Sequence, residues 1–308
     1  MIRVPEKLAE WARRGEISSL QADSEATSGR AWSAGRIATL FKFGFHSPPA
    51  SVPMGRRVYA IGDVHGRLDL LDQLLAQIEE DMRELQPAKV SVVLLGDMID
   101  RGPNSKGVLH RAMAGLEWAT LYCVLGNHER MLLAVLDGNE AVAVPWFQFG
   151  GRETLASWGV DLARLSEPAP AGIVEAARDA LSALDCSYLR HLAYRLRCGD
   201  YMFVHAGIRP GIRLDRQRPD DLLWIREPFL ESRRYHGAVI VHGHSISQDI
   251  EERPNRIGID TGAYRTGRLT ALVLEGSSRR ILCAEVATNG GVASQEVQRE
   301  NATILTAI

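Results

Sequence analysis

The sequence has few of the features that mark secreted, membrane-spanning or nucleic-acid-binding proteins. Its 308 residues include only four cysteines, Cys123, Cys186, Cys198 and Cys283, and no two of them have Cys-x-x-Cys spacing. No apolar run is long enough to cross a bilayer, and the N-terminus lacks the pattern of a secretory signal. The formal net charge is -2, so the basic excess that binds nucleic acid is missing. These absences predict a cytoplasmic protein with no transmembrane segment and no nucleic-acid partner.

The sequence divides into three parts. Residues 1–57 are predicted to form an N-terminal arm that ends in a proline-rich linker, residues 58–290 a catalytic domain, and residues 291–308 a polar tail. Within the arm, residues 27–46 interleave basic and aromatic side chains without an acidic residue. This stretch could contact an anionic membrane surface or a partner protein, and the alternative is an arm that packs on the domain or is partly disordered. Residues 138–200 show no strand pattern, which predicts a helical insertion that shapes the substrate site.

Four short polar motifs each follow an apolar run. They begin at Gly62 (Gly-Asp-Val-His-Gly), Gly96 (Gly-Asp-Met-Ile-Asp-Arg-Gly), Gly126 (Gly-Asn-His-Glu) and His205 (His-Ala-Gly). The apolar runs are typical of buried strands and cover Val58–Ile61, Val90–Leu95, Leu121–Leu125 and Tyr201–Val204. In open α/β sheets ligands bind outside the carboxyl ends of the strands, so the four motifs can converge on one site.

The pattern of the whole domain predicts an α/β fold with two facing mixed sheets flanked by helices, a sandwich of four layers. Apolar residues at helical spacing from Leu68 to Met82 join the first two strands, so the first half is β-α-β. From Tyr201 onward, short apolar runs between turn residues predict a mixed or antiparallel sheet. Further helices are predicted from Glu129 to about residue 138, and over Ile173–Leu184 in the insertion.

The polar motifs contain the residue types that hold a pair of metal ions. Asp63 and His65 are two residues apart at the end of a strand, so an extended backbone points both side chains to the same side. Asp97 follows the next strand and could bind the same ion. The remaining candidate ligands are Asn127, His205 and one of the two histidines His242 and His244. This mixture of nitrogen and oxygen donors favours manganese, iron or zinc over calcium.

Taken in order, these motifs and the Gly-His-Ser string at residues 243–245 resemble the phosphoprotein phosphatase family of calcineurin-like metallophosphoesterases, in particular its bacterial and phage-type serine/threonine phosphatases. The resemblance spans Val58 to Val286. It implies two divalent ions, of which manganese is the expected metal, bridged by Asp97. The implied ligands are Asp63, His65 and Asp97 for one ion, and Asp97, Asn127, His205 and His244 for the other.

The resemblance also distinguishes the two neighbouring histidines. The family's ligand follows glycine and precedes serine or threonine, and His244 has this position. His242 stands where the family often has an apolar residue, so we expect it to support a ligand or to pack in the core.

The resemblance implies a mechanism for hydrolysing phosphate monoesters. A hydroxide that bridges the metal ions would attack phosphorus directly, without a phosphoenzyme. His128 would be the general acid that protonates the departing serine or threonine oxygen, with Asp100 orienting its imidazole. Arg101, Arg226 and Asn127 would bind the phosphate, whose oxygens match the planar guanidinium fork. The implied substrate and partner is a phosphoprotein.

A dinucleoside-polyphosphate hydrolase, acting for example on diadenosine tetraphosphate, is the nearest alternative. That branch shares the metal set but typically reads Ala-Arg-Gly and Asn-His-Asp, where this chain has Asp-Arg-Gly at 100–102 and Asn-His-Glu at 127–129. The residues of these two motifs favour the protein phosphatase, whereas Gly-Pro-Asn-Ser at 102–105 resembles the alternative branch. A non-catalytic binding protein on the same fold would be expected to have lost a ligand or His128, and none is missing.

Overall fold

The computed structural model describes residues 49–84, 89–165, 169–286 and 292–297. Residues 1–48 lie outside these ranges, so the predicted contact of the arm with a membrane or a partner stays a prediction. Among the helices of the described ranges, none combines the length and the apolar character that a bilayer span requires.

Strands and helices alternate in the first part of the domain, and strands dominate its last part. The strands are β1 (Arg56–Ile61), β2 (Lys89–Leu94), β3 (Thr120–Cys123), β4 (Arg195–Cys198), β5 (Tyr201–Val204), β6 (Val239–His242), β7 (Glu251–Arg253), β8 (Arg256–Gly258), β9 (Arg268–Glu275), β10 (Ser278–Val286) and β11 (Val292–Val297). The α-helices are α1 (Leu68–Glu84), α2 (Ser105–Ala114), α3 (Asn127–Leu136), α4 (Glu140–Trp146), α5 (Arg152–Ser157), α6 (Pro170–Ala180), α7 (Ala183–Arg190), α8 (Pro219–Trp224) and α9 (Ala263–Thr266). A π-helical turn over Phe147–Gly151 joins α4 to α5.

The strands form two mixed sheets, which confirms the predicted fold class. The first sheet has the order β11-β10-β9-β1-β2-β3, in which β1, β2 and β3 are parallel and β9 to β11 are antiparallel to their neighbours. The second sheet has the order β4-β5-β6-β8-β7, in which β5, β6 and β8 are parallel. Because successive side chains of a strand point to opposite faces, each sheet presents two faces for packing.

The two sheets share one core and carry other elements on their outer faces. In β1, Val58 and Ala60 lie in the core between the sheets, whereas Tyr59 and Ile61 pack against the helices outside the first sheet. β5 alternates in the same way, and its outward side chains pack against α8 and the loop that follows it. The result is the predicted sandwich of four layers.

Two strands lie where the sequence analysis predicts none. β4 falls inside residues 138–200, so this segment is not entirely helical as predicted. Its four residues, Arg-Leu-Arg-Cys, form no apolar run, and antiparallel pairing with β5 makes them a strand. β11 falls inside the predicted tail and pairs with β10. The last three strands return to β1 and complete the first sheet, which sequence periodicity does not reveal.

The predicted helices α1 and α3 are confirmed, but the helix predicted over Ile173–Leu184 is two helices. The second begins after Ser182, whose hydroxyl accepts a hydrogen bond from the Asp185 N–H. The Asp185 carboxylate in turn accepts one from the Ser182 N–H. This reciprocal capping box starts a new helix although the apolar periodicity continues.

The loops that follow the parallel strands meet at one edge of the sandwich. Asp97 follows β2 in the first sheet, and Gly126 follows β3 beside it. The backbones approach so closely that a Cβ at Gly126 would lie 2.2 Å from the Asp97 nitrogen, so only glycine fits there. From the second sheet, His205 reaches the same place and contacts the Leu95 carbonyl. The sheet edge therefore gathers the polar motifs, as the sequence predicts.

Candidate active site

Backbone strain is concentrated at the edge where these loops meet. In the described part of the chain, the non-glycine residues with positive φ are His65 (45°), Asp97 (47°), Asp100 (72°), Arg101 (69°) and His244 (61°). Left-handed backbone costs roughly 1–3 kcal/mol at a residue with a side chain, and it persists where the surrounding structure holds it. All five residues belong to the site that the sequence analysis predicts, so the fold holds these side chains against local preference.

The Asp97 carboxylate lies between two groups of nitrogen atoms. Its Oδ1 lies 3.4 Å from His205 Nε2, and its Oδ2 lies 3.4 Å from His65 Nε2. His244 completes the first group and His128 completes the second. Within each group the candidate ligand atoms lie within 4.8 Å of one another. Asp97 is common to both groups, which is the position that a bridging ligand needs.

Next to the first group, the Asn127 amide oxygen faces ring nitrogens of His205 and His244. Asn127 Oδ1 lies 2.7 Å from His205 Nε2 and 2.9 Å from His244 Nδ1. His205 Nδ1 donates to the Leu95 carbonyl at 2.9 Å, so in the neutral ring Nε2 carries a lone pair. An amide oxygen and an imidazole lone pair repel at this distance unless a cation lies between them. The donor set therefore fits a divalent metal ion that prefers nitrogen and oxygen ligands.

In the second group, a positive charge lies against the histidines. Arg101 Nη1 donates to His65 Nε2 at 3.0 Å, and Arg101 Nη2 donates to His128 Nε2 at 2.9 Å. His65 Nδ1 donates to the Ile99 carbonyl at 2.8 Å, which leaves the lone pair of Nε2 directed into the site. In this structure the Arg101 guanidinium lies at this group, and His65 Nε2 and the Asp97 carboxylate are its candidate ligand atoms for an ion.

Burial keeps the candidate histidine ligands neutral. It lowers the pKa of His65 to about 3 and the pKa of His244 to about 3, and it also lowers the pKa of His205. Burial raises the pKa of Asp97, but the nearby histidines, led by His205, outweigh it and hold that pKa below its ordinary value. Neutral imidazoles and an ionised carboxylate are the forms that bind metal.

Asp63 lies beside the two groups and is a member of neither. Its carboxylate oxygens accept hydrogen bonds from His244 N at 3.1 and 3.2 Å. It is buried next to a second carboxyl group, Asp260, which follows β8 at the same edge. Burial, then Asp260 and Asp97, raise the pKa of Asp63 well above its ordinary value, and burial raises that of Asp260 to about 6. Asp260 is not among the site residues predicted from the sequence, although its position after a buried strand is the signal that marks the others.

Glu129 organises the loop that presents Asp97. Its buried carboxylate accepts hydrogen bonds from the backbone N–H groups of Asp97, Met98, Ile99 and Gly126. Burial and then the charge of Asp97 raise the pKa of Glu129 to about 7. From the sequence, Glu129 is predicted only to begin a helix, because three of its four donors belong to a loop about 30 residues upstream.

His128 and Asp100 form a buried pair next to the two groups. His128 Nδ1 donates to Asp100 Oδ2 at 2.7 Å, so the opposite ring nitrogen, Nε2, is directed toward the site. Burial lowers the pKa of His128, but Asp97 and Asp100 outweigh it and raise this pKa above its ordinary value. Burial raises the pKa of Asp100. An imidazole whose protonated form is favoured by neighbouring carboxylates, and which one of them orients, is suited to general acid catalysis.

The two predicted phosphate-binding arginines have different surroundings. Arg101 lies at the second group, and its guanidinium carbon lies 4.8 Å from the centre of the Tyr264 ring. Arg226 is exposed at the rim, where its Nη2 donates to the His244 carbonyl at 3.4 Å. Tyr264 is a contact that the sequence analysis does not name. A cation over an aromatic face is attracted to it, so the ring helps to hold Arg101 in place.

His242 lies in neither group. Its Nε2 accepts a hydrogen bond from Arg256 Nη1 at 3.3 Å, and both side chains are buried. Burial lowers the pKa of His242 to about 4. His242 is therefore a buried side chain hydrogen-bonded to Arg256, and its role in supporting a ligand stays a prediction.

Comparison with known proteins points to one family and to two activities within it. The model of the calcineurin-like phosphoesterase family matches residues 56–269. The chain is 32% identical to serine/threonine-protein phosphatase 1 of Salmonella typhimurium, over 70% of this chain and 90% of that protein. It is also 32% identical to the symmetrical bis(5'-nucleosyl)-tetraphosphatase of Dechloromonas aromatica, over 52% of this chain and 47% of that protein. The chain thus spans about half the length of its tetraphosphatase relatives.

Solved structures share the fold. A candidate diadenosine tetraphosphatase aligns with a TM-score of 0.51 and 21% identity, over 82% of this chain and 100% of that chain. A cold-active protein-tyrosine phosphatase of a Shewanella species aligns with a TM-score of 0.50 and 17% identity, over 80% and 82%. At these identities the structures agree in fold, and the choice of substrate is a separate question.

Proposed function

We propose that this chain, which belongs to the calcineurin-like phosphoesterase family, is a divalent-metal-dependent protein phosphatase that acts on phosphoserine and phosphothreonine. The observation that carries the proposal is the buried pair of His128 and Asp100, whose imidazole Nε2 lies 2.9 Å from Arg101 Nη2. This places a candidate proton donor next to a candidate phosphate-binding cation.

The leaving group favours a phosphate monoester as the substrate. A serine or threonine alkoxide is strongly basic and needs a proton as its bond to phosphorus breaks. The phosphate group released from a polyphosphate chain is weakly basic and leaves without such help. A positioned acid contributes about 10²- to 10⁴-fold where the leaving group needs it. The orientation of His128 by Asp100 is therefore most useful for a serine or threonine ester.

The metal-binding part of the proposal combines the two donor groups around Asp97 with the ligand set that the family resemblance implies. We assign one ion to Asp63, His65 and Asp97, and the other to Asp97, Asn127, His205 and His244. Manganese is the metal we expect for this mixture of imidazole, amide and carboxylate ligands, with iron or zinc as alternatives. When bound, such ions supply a nucleophile derived from water and offset the negative charge of the phosphate.

Arg101 and His128 act in a defined order in this proposal. Before substrate binds, Arg101 donates to His128 Nε2, the atom that must carry the transferred proton. Phosphate oxygens are stronger acceptors for a guanidinium than a neutral imidazole, so Arg101 turns to the phosphate when substrate enters. His128 Nε2 can then hold a proton, which the Asp100 carboxylate favours. Arg226 at the rim and the Asn127 amide complete the contacts to phosphate.

A second candidate is a dinucleoside-polyphosphate hydrolase. The symmetrical tetraphosphatase relatives and the Gly-Pro-Asn-Ser string at residues 102–105 support it. For either function we propose the cytoplasm as the location, since the four cysteines are free thiols, as a reducing compartment keeps them.

The test compares His128→Asn with the wild type on two substrates, using manganese-loaded protein. On a phosphoserine peptide we expect kcat to fall by about 10²- to 10³-fold, and on an aryl phosphate by much less, since a phenolate leaves without a proton. Metal analysis of the variant should still give two ions per chain. The control is His110→Asn, which removes another histidine bound to an aspartate, and it should leave both rates unchanged.

Two outcomes would overturn the proposal. Equal losses on the peptide and the aryl phosphate would remove the general-acid role of His128. If wild-type protein cleaves diadenosine tetraphosphate with a higher kcat/KM than any phosphopeptide of a panel, the second candidate replaces the first.

A further inference from the structure

The helical insertion reaches the active site through two buried side chains. Trp146 Nε1, at the end of α4, donates to Asp100 Oδ2 at 3.0 Å. This is the same oxygen that accepts from His128 Nδ1. Thr154 Oγ1, in α5, donates to the other oxygen, Asp100 Oδ1, at 2.5 Å. Both oxygens of the carboxylate are therefore held by residues of the insertion.

The insertion also contacts the strained backbone at this point. The Asp100 N–H donates to Thr154 Oγ1 at 3.0 Å, and the Arg101 N–H donates to the Gly150 carbonyl at 3.3 Å. Gly150 lies in the π-helical turn with a φ of 125°, and a Cβ there would lie 2.4 Å from the Arg101 nitrogen. The turn therefore approaches the left-handed pair Asp100 and Arg101 as closely as glycine permits.

These contacts determine how the carboxylate faces its histidine. Asp100, Trp146 and Thr154 are each fully buried, so water cannot replace a donor that is lost. With Thr154 on one oxygen and Trp146 on the other, a single orientation of the carboxylate satisfies all of its donors. That orientation directs Oδ2 at His128 Nδ1, and thereby sets the direction of His128 Nε2.

We infer that Trp146 and Thr154 are positioning residues for proton transfer, which act through Asp100 to hold the His128 imidazole in line with the departing oxygen. The inference rests on the proposed role of His128 as the general acid. It gives residues 138–200 a function in supporting catalysis, beyond the predicted function of shaping the substrate site.

The test removes each donor while keeping the shape of the side chain as far as possible. Thr154→Val replaces a hydroxyl by a methyl group, and Trp146→Phe removes the indole N–H. Because the imidazole stays but loses its alignment, we expect each variant to lower kcat on a phosphoserine peptide by roughly tenfold, a part of what a whole general acid contributes. On an aryl phosphate we expect kcat to change by less than about twofold. For each substrate, the KM of the variant should stay close to the wild-type KM.

Matched variants separate positioning from folding. Thr154→Ser restores the hydroxyl and should recover most of the rate that Thr154→Val loses. Trp158→Phe removes an indole N–H from the same insertion, one that donates to Asp185 instead of Asp100, and should leave the ratio of the two rates at its wild-type value. If Trp146→Phe does not fold, Thr154→Val and its control Thr154→Ser decide the test alone.

The outcomes distinguish this inference from the proposed function. If His128→Asn affects the peptide and the aryl phosphate differently but Thr154→Val lowers both rates equally or neither, the positioning role is wrong and the general acid stands. If His128→Asn itself affects both substrates equally, the proposed function fails, and the inference fails with it. A selective loss on the peptide in Thr154→Val, recovered in Thr154→Ser, supports the inference.

Discussion

Two aspartates in this molecule have the same kinds of hydrogen-bond donors and different surroundings. Each carboxylate accepts from a tryptophan indole, a histidine ring and a hydroxyl group. The donors are Trp146, His128 and Thr154 for Asp100, and Trp158, His110 and Ser182 for Asp185. Asp100 lies in the candidate active site, whereas Asp185 lies in the first turn of α7.

The two clusters differ in exposure and in the charge that each favours. The His128 side chain is 2% exposed, whereas that of His110 is 47% exposed. Burial raises the pKa of Asp100. Burial also raises the pKa of Asp185, but the backbone N–H of Ser182 and its other donors outweigh this and lower the pKa below its ordinary value. The fold thus favours the charge of Asp185 and disfavours the charge of Asp100.

The comparison shows that a set of residue types does not define a function by itself. Around Asp185 the set caps a helix, because the carboxylate also accepts the Ser182 N–H. Around Asp100 the set lies beside Asp97 and Arg101, so the outward nitrogen of His128 faces groups that can bind metal and phosphate. The neighbours of the histidine, and not its aspartate, distinguish a candidate catalytic pair from a structural one.

The largest difference between the two clusters should be in catalysis. Asp100→Asn is expected to lower kcat on a phosphoserine peptide by about 10²- to 10³-fold, because the neutral amide no longer favours the protonated form of His128. Asp185→Asn should change kcat by less than about twofold, since its histidine, His110, is not among the candidate active-site residues. The measurement is kcat on one phosphopeptide with both manganese-loaded variants. Similar losses in the two variants would mean that the clusters are not functionally distinct.

Stability should separate the two clusters by a smaller margin. Asp100→Asn is expected to lower the free energy of unfolding by about 2–3 kcal/mol, because the amide NH2 faces buried donors that water cannot reach. Asp185→Asn is expected to lower it by about 1–2 kcal/mol, because the capping box of α7 loses its charged member. Urea unfolding of metal-free protein at pH 7 measures both values. Ser182→Ala, which removes the other half of the cap, should destabilise by an amount similar to Asp185→Asn, and a smaller loss in Asp100→Asn than in Asp185→Asn would contradict the ranking.

Most of the candidate metal ligands could be predicted from the sequence because their signal is local. Asp63, Asp97 and His205 each follow a short apolar run, and a parallel sheet brings such positions together whatever the rest of the fold does. Asp260 also follows a buried strand, so the same rule could have predicted it from the sequence. The facing sheets were predictable from the same runs, because a continuous apolar run places apolar side chains on both faces of its strand and each face needs a packing partner.

The supporting contacts could not be predicted because they depend on packing between distant segments. Trp146 and Thr154 lie 46 and 54 residues from Asp100 in the sequence, and they meet it only because α4, the π-helical turn and α5 fold back over the site. β4 and β11 are strands because β5 and β10 offer them backbone partners, which periodicity does not record. The helix predicted over Ile173–Leu184 is two helices because Ser182 caps the start of the second, and apolar spacing does not indicate a cap.

The smallest expected difference between the clusters is in the pH dependence of stability. The pKa of Asp185 is lower in the folded protein than in the unfolded chain, so its contribution to stability is present above the unfolded value near 4 and is lost as the pH falls below it. The pKa of Asp100 is raised, so its contribution has the opposite sign: it is present at low pH and is lost as the pH rises through the folded value.

In metal-free protein, the gap in unfolding free energy between wild type and Asp185→Asn should therefore narrow from pH 7 to pH 3. The gap for Asp100→Asn should widen over the same range, because the variant lacks a group whose neutral form the fold prefers. Parallel curves for the two variants would show that the two carboxyl groups are in equivalent electrostatic surroundings, against the burial and hydrogen bonding that separate them.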